Sequence, residues 1–212
     1  MKRIARLLLP AVLCCLTCQL KAGTINPVLG FTTYSSDSDG RAYTLGYEFT
    51  TSVSFTVNAL GYFNDGLGNS HLVGIWDTSG DLLTSATVTG SDPLTGNFLY
   101  QSITPYILAP GTYLIGGQYR GYYDVFPVYA RGLTTVAGFT WVTSEQGTGG
   151  AELNFPTVSY GIYYGTNGIP LVDLSYADDP AVPEPATWSL LLSAALVAGV
   201  VCRRKYQTGV RN

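Results

Sequence analysis

Short runs of alternating apolar and small polar residues fill the chain between residues 23 and 182, and this alternation predicts β-strands. One run shows it as two interleaved sets, apolar and polar: Val53, Phe55 and Val57 against Ser54, Thr56 and Asn58. Clusters of Gly, Asn and Asp separate the runs, and no segment of this range keeps a helical period for three turns. We therefore predict an all-β domain over residues 23–180, a β-sandwich or jelly roll.

Nine of these runs are predicted as strands. They are Arg41–Phe49, Val53–Phe63, His71–Asp77, Leu82–Thr89, Phe98–Ile103, Gly111–Arg120, Val125–Ala130, Phe139–Val142 and Ile169–Tyr176. The segment Thr78–Asp81 has the composition of a tight turn. The runs on either side of it, Val73–Asp77 and Leu82–Val88, are therefore expected to form a hairpin.

Charge is distributed unevenly along the chain. Of the eleven Lys and Arg residues, only Arg41, Arg120 and Arg131 fall in residues 23–182, against thirteen Asp and Glu residues. This range therefore carries a net charge of −10, whereas the whole chain carries −3. Such a surface disfavours nucleic acid and anionic lipid as partners, and it leaves divalent cations and neutral polysaccharide open.

Residues 1–22 have the parts of a secretory signal peptide. Three basic residues precede a long apolar stretch, and Ala22 offers a small residue for cleavage. We therefore expect export through the Sec translocon and removal of this segment by signal peptidase. Three cysteines here invite a lipoprotein interpretation, which Thr17 before Cys18 fits poorly.

The cysteines all lie outside the predicted domain. They are Cys14, Cys15, Cys18 and Cys202. A domain exported into an oxidising compartment is therefore expected to fold without a disulfide. About 160 residues remain for it, which is enough for one domain with its own core.

The C-terminal segment has three parts in a fixed order: a proline-flanked acidic residue, an apolar helix and a basic cluster. From Trp188 to Cys202 no residue is charged, and a helix of these residues is roughly 22 Å long. A hydrocarbon core is about 30 Å thick, so the predicted transmembrane helix over residues 187–202 is short. The cations that follow it, Arg203, Arg204 and Lys205, are expected to stay in the cytoplasm as a basic stop.

This order of parts resembles the PEP-CTERM sorting signal of Gram-negative bacteria, over residues 182–205. The motif residues are Val182, Pro183, Glu184 and Pro185. The resemblance implies recognition by exosortase, a membrane-embedded enzyme similar to cysteine transpeptidases, which cuts near the motif and delivers the domain to the surface or matrix. Two prolines hold such a segment extended, which suits a protease cleft. A plain single-pass anchor is the alternative, while the L-P-x-T-G string of cell-wall sortase substrates is absent.

Two oxygen-rich loops are candidate calcium sites, and no other cofactor or metal is predicted. Their candidate ligands are Asp37, Asp39, Asn64 and Asp65. Neither loop has the closing glutamate of a twelve-residue calcium loop, and turn formation alone explains their composition. His71 is the one histidine, without a partner His, a Cys pair or a G-x-S-x-G motif, and is expected to be a structural residue at a strand edge.

Aromatic residues offer a candidate surface for stacking against sugars. The candidates are Trp76, Tyr119, Tyr122 and Tyr123. The alternative is that Trp76 belongs to the core and that the tyrosines cover strand edges. Thirteen acids allow many carboxylate pairs, but nothing in the sequence selects one pair for glycoside hydrolysis.

Residues 40–176 resemble a domain that is common among PEP-CTERM proteins of unknown activity. The resemblance lies in Leu45–Phe49, Ala59–Phe63, His71–Asp77, Gly80–Val88 and Leu108–Tyr113. It implies a β-sandwich with an interaction role and no catalytic residues. A weaker likeness to sandwich modules associated with carbohydrate lies in the order of the third and fourth segments.

These features predict an exported, non-catalytic protein of the cell surface or extracellular matrix. We expect it to pass through the inner membrane with its domain in the periplasm, to be cleaved by exosortase, and to associate with exopolysaccharide in a biofilm. A carbohydrate-binding module is the alternative. A secreted hydrolase is a third class, for which the sequence identifies no catalytic residue.

Overall fold

Fourteen β-strands form the domain in the computed structural model, which describes residues 24–66, 68–161 and 168–177. A single 3₁₀ turn at Gly121–Tyr123 is the one helical element within these ranges. The strands are β1 Leu29–Gly30, β2 Thr33–Asp37, β3 Ala42–Thr51, β4 Phe55–Phe63, β5 His71–Asp77, β6 Leu82–Val88, β7 Leu94–Thr95, β8 Phe98–Leu108, β9 Gly111–Arg120, β10 Phe126–Arg131, β11 Thr134–Thr135, β12 Phe139–Gln146, β13 Val158–Gly161 and β14 Val172–Ala177.

Two open antiparallel sheets pack face to face. One has six strands in the order β13-β12-β3-β9-β5-β6, and the other has four in the order β14-β4-β8-β7. Two short ladders, β1 with β11 and β10 with β2, lie outside them. The Phe55 ring of β4 meets the Phe139 ring of β12 edge to face, with centroids 6.3 Å apart. The predicted all-β fold is confirmed, and the arrangement is that of a sandwich.

The space between the sheets is filled by apolar and aromatic side chains from alternate strand positions. Tyr47, Phe49, Leu60, Tyr62 and Ile115 are among those that are completely buried. Residue 117 of β9 is glycine because a Cβ there would lie 2.5 Å from a methyl of Val172 and 2.9 Å from the Tyr62 ring. The sheets therefore approach closely at this point.

A polar group is also enclosed in this core. The Asp173 carboxylate on β14 is fully buried, and the Tyr100 hydroxyl donates a hydrogen bond to it at 2.6 Å. The backbone N–H of Leu174 donates to its other oxygen at 2.8 Å. Burial raises the pKa of Asp173 to about 8, although these hydrogen bonds pull it down.

The outer face of the six-stranded sheet carries a row of glycines. Gly46, Gly116 and Gly74 are cross-strand neighbours on β3, β9 and β5. The Cβ positions of Gly74 and Gly116 point at the Trp76 ring, which packs against Phe155 in the segment before β13. The absence of side chains in this row lets the indole lie against the sheet beneath that segment.

Both ends of the described fold meet at one edge of the four-stranded sheet. The backbone N–H of Val28 donates to the Leu174 carbonyl at 3.0 Å, and that of Tyr176 donates to the Asn26 carbonyl at 3.1 Å. Pro27 bridges Ser175 in antiparallel fashion. The chain before β1 therefore covers the outer edge of β14, which would otherwise be unpaired.

The nine predicted strands are all present, but β8 and β12 continue to Leu108 and Gln146, beyond their predicted ends at Ile103 and Val142, and β14 begins at Val172 rather than at Ile169. β5 and β9 have the predicted bounds, and the predicted hairpin of β5 with β6 is confirmed by its register, in which Val73 pairs with Ala86. Val53 lies before β4 and is half exposed, because the strand begins at Phe55. The short or exposed strands β1, β2, β7, β11 and β13 were not predicted.

The predicted signal peptide, sorting motif and transmembrane helix lie outside the described residues. Within residues 24–66, 68–161 and 168–177, no helix has the length and apolar character that a membrane crossing requires.

Candidate metal centre

Two stretches that are distant in sequence converge at one end of the sandwich. One is the β4–β5 loop with the first residue of β5, and the other is the turn that follows β9. They bring Asp65, His71 and Asp124 together, so that one ligand atom from each lies within 4.8 Å of the others. Among the described residues, this is the one group of three His, Cys, Asp or Glu side chains that could share a metal ion.

His71 is held rigidly in this group. Its ring is stacked on Tyr62, with centroids 3.8 Å apart and planes 4° from parallel, and only 3% of the residue is exposed. Its Nδ1 donates a hydrogen bond to the Gln118 carbonyl oxygen at 3.1 Å. The Tyr62 hydroxyl donates a second hydrogen bond to the same oxygen, also at 3.1 Å. The side chain is therefore bonded to strand β9.

Burial lowers the pKa of His71, and this effect outweighs the opposing influence of Asp124. The ring is therefore neutral at pH 7, with its proton on Nδ1 and a lone pair on Nε2. The hydrogen bond to Gln118 uses Nδ1 and leaves Nε2 as the other ring nitrogen. A neutral imidazole with an available lone pair is the form that binds metals.

Asp124 is fully buried immediately after the 3₁₀ turn. Its Oδ2 accepts the backbone N–H of Arg120 at 2.5 Å and lies 3.7 Å from His71 Nδ1. Its Oδ1 accepts a hydrogen bond from the Asn69 side-chain amide at 3.3 Å, and the same amide donates to the Tyr123 carbonyl at 2.7 Å. These bonds fix the carboxylate and join the β4–β5 loop to the turn.

Asp65 supplies the third oxygen donor from the β4–β5 loop and is only partly buried. The backbone N–H of Val125 lies 3.4 Å from its Oδ2. The preceding Asn64 accepts the Gly66 N–H at 3.1 Å, so Asn64 forms the turn rather than joining the group.

The guanidinium of Arg120 is the nearby cation. It donates to the Ser70 carbonyl, and its buried Nε has no hydrogen-bond partner among the described residues. The guanidinium therefore contacts a backbone oxygen of the β4–β5 loop.

The other predicted calcium loop is separate from this group. Asp39 accepts the Tyr43 hydroxyl at 2.8 Å and the Arg41 N–H at 3.1 Å, and Asp37 accepts the Ser38 N–H at 2.8 Å. These are bonds of turn formation. Of the four predicted calcium ligands, only Asp65 belongs to the group of three, where it meets a histidine.

The four aromatic candidates do not form one surface. Trp76 is 4% exposed and lies on the outer face of the six-stranded sheet, whereas Tyr119 is completely buried between the sheets. Tyr122 and Tyr123, on the 3₁₀ turn, are 81% and 76% exposed. One side of the Tyr122 ring rests on Gly40, where a Cβ would lie 2.2 Å from the ring. Only this pair could stack against a ligand.

Comparison with protein families gives two matches. Residues 31–164, more than half of the chain, match the model described as Domain of unknown function (DUF4082). The chain belongs to the DUF4082 family. Residues 181–205 match the PEP-CTERM protein-sorting motif, which confirms the predicted resemblance. No curated protein and no solved structure matches the chain.

The two matches cover different parts of the chain, the folded domain and the sorting motif. The sorting motif marks an exported protein that is processed by exosortase and sorted to the cell surface via the membrane. All three residues of the candidate metal centre lie inside the DUF4082 match. The activity of the domain must therefore be argued from its own side chains.

Proposed function

We propose that this DUF4082 protein is a non-catalytic component of the cell surface or extracellular matrix, cleaved by exosortase and associated with exopolysaccharide. The observation that carries the proposal is the sorting motif at residues 181–205, directly after the domain. β14 ends at Ala177, so five residues separate the folded edge from Pro183. Five residues span at most about 18 Å, which keeps the cleavage motif close to the domain.

The surroundings of His71 support a non-catalytic role. A hydrolase of the serine or cysteine type needs a nucleophile bonded to the histidine. Here the ring donates to the backbone carbonyl of Gln118 and is covered by Tyr62. The domain contains no cysteine between residues 23 and 182.

The processing step is tested by expressing the chain in matched strains with and without active exosortase. We expect a shorter product at the cell surface in the first strain and an uncut product in the second. Replacing Pro183, Glu184 and Pro185 by alanine should leave the product uncut in both, because the extended segment is lost. Replacing Asp178, Asp179 and Pro180 by alanine is the control. Equal product masses in the two parent strains would contradict cleavage by exosortase.

A carbohydrate-binding role is the second candidate, supported by the exposed pair Tyr122 and Tyr123. Rings with an open face stack against sugars, and alanine substitution of such a ring typically costs about 1 kcal/mol or more. We expect the double variant Tyr122→Ala, Tyr123→Ala to lose retention on the host exopolysaccharide. The variant Ile107→Ala, whose side chain is 68% exposed on β8, should keep it. Retention that is the same in all three proteins would exclude this pair as the binding surface.

A further inference from the structure

We propose that Asp65, His71 and Asp124 bind one divalent transition-metal ion, of the Zn²⁺ or Mn²⁺ class. Each aspartate would supply one oxygen, and His71 would supply Nε2, because its Nδ1 donates a hydrogen bond to the Gln118 carbonyl. This inference does not depend on the proposed function, since it concerns only the end of the domain where the β4–β5 loop meets the turn after β9.

The distances fit a shared ion. Ligand atoms at about 2.1 Å from one metal ion lie roughly 3.0 to 4.2 Å apart, depending on the coordination angle. One ligand atom from each of the three side chains lies within 4.8 Å of the others. A contraction of less than about 1 Å by the partly exposed Asp65 side chain would complete the site.

The ligand chemistry selects the class of metal. Calcium takes six to eight oxygen ligands, so a site with an imidazole ligand favours a softer ion. One nitrogen and two carboxylates suit Zn²⁺ or Mn²⁺, and water can fill the remaining positions.

The groups behind the ligands are arranged as they are in metal sites. A ligating histidine usually donates its other N–H to a backbone carbonyl or carboxylate, which orients the ring. His71 has such a bond to Gln118 and is stacked on Tyr62. Asp124 is held by the Arg120 N–H and by Asn69. Two of the three ligands are therefore fixed before any ion binds.

An ion here would connect three parts of the fold. It would join the β4–β5 loop to β5 and to the turn that carries Tyr122 and Tyr123. Because binding to the folded state alone stabilises that state, the melting temperature should rise with metal concentration.

The test uses the full chain in detergent, without a polyhistidine tag and with the substitutions Cys14→Ser, Cys15→Ser, Cys18→Ser and Cys202→Ser. These substitutions remove the thiols, which would bind zinc themselves. Protein from which metal has been removed with a chelator is titrated with Mn²⁺. The affinity for Zn²⁺ is measured from its displacement of bound Mn²⁺. We expect one ion per chain, a raised melting temperature, and nitrogen coupling from an imidazole in the pulsed EPR spectrum of bound Mn²⁺. Since His71 is the one histidine, that coupling identifies it.

Matched variants decide the ligands. Asp65→Asn and His71→Gln should weaken binding by about tenfold or more. Asp39→Asn, in the neighbouring acidic loop, should bind as the parent does. If His71→Gln fails to fold, Asp65→Asn and the EPR spectrum of the parent still test the site. The absence of saturable binding, bound Mn²⁺ without nitrogen coupling, unchanged affinity in Asp65→Asn, or tighter binding of Ca²⁺ would each overturn the proposal.

Discussion

At the scale of single residues, Asp173 couples the stability of the domain to pH. In the unfolded chain an aspartate has a pKa near 3.8, whereas burial raises the folded value to about 8. Between these two values the folded state holds a proton that the unfolded state has released. The contribution of Asp173 to the free energy of unfolding is therefore at its largest below about pH 4, and it decreases as the pH rises to 8.

We predict that Asp173→Asn removes this decline. By linkage, the decline amounts to on the order of 5 kcal/mol between pH 4 and pH 8, so the stability of the variant relative to the parent should rise across this range. Denaturant unfolding of both proteins at a series of pH values measures the difference. Because the other titrating groups are common to both, parallel pH profiles would show that Asp173 is not the cause.

Individual residues also show how far the sequence predicts the candidate metal centre. Asp65 was identified because it lies in an oxygen-rich loop. His71 was interpreted as structural, and Asp124 was not considered, because each is isolated in sequence. The pairing of β9 with β5, with Val73 opposite Gly117, brings them together. No local spacing encodes such long-range pairing, and the one available signal was the combination of a lone histidine with an acidic, cysteine-free domain.

At the scale of elements, the period of two predicted the strands that have one buried face. β5 and β9 were also predicted to their ends, although four consecutive residues of each are buried. β2, by contrast, is exposed along its whole length, and its sequence TYSSD is typical of a polar loop. It is a strand because β10 pairs with it, from Phe126 opposite Asp37 to Arg131 opposite Thr33. Edge strands of this kind carry no pattern of burial that a sequence could show.

Strand β9 allows a direct test of close packing between the sheets. A Cβ at Gly117 would lie 2.5 Å from Val172 and 2.9 Å from Tyr62, whereas one at Gly111 would have its nearest neighbours at 3.5 Å. We predict that Gly117→Ala lowers the free energy of unfolding by about 1–3 kcal/mol, as overpacking does. Gly111→Ala, on the same strand, should change it by about 0.5 kcal/mol or less. Equal effects in chemical denaturation would show that the sheets can separate at β9 without cost.

At the scale of the whole molecule, the two family matches cover separate parts of the chain. The match at residues 31–164 and the motif at residues 181–205 do not overlap. The sorting motif can be recognised in the sequence because its proline, apolar and basic residues lie in order within one continuous segment. The ligand of the domain has no such linear signature, since the exposed tyrosines and the candidate metal centre are assembled only by folding.

The pairing of Asn26, Pro27 and Val28 with β14 has a mechanical consequence. The first and last described residues therefore lie side by side at one edge of the sandwich. A force that pulls the two ends of the fold apart therefore acts first on the pairing of residues 26–28 with β14. A cut in the chain on either side of the fold leaves this pairing intact, because both of its partners lie inside the fold.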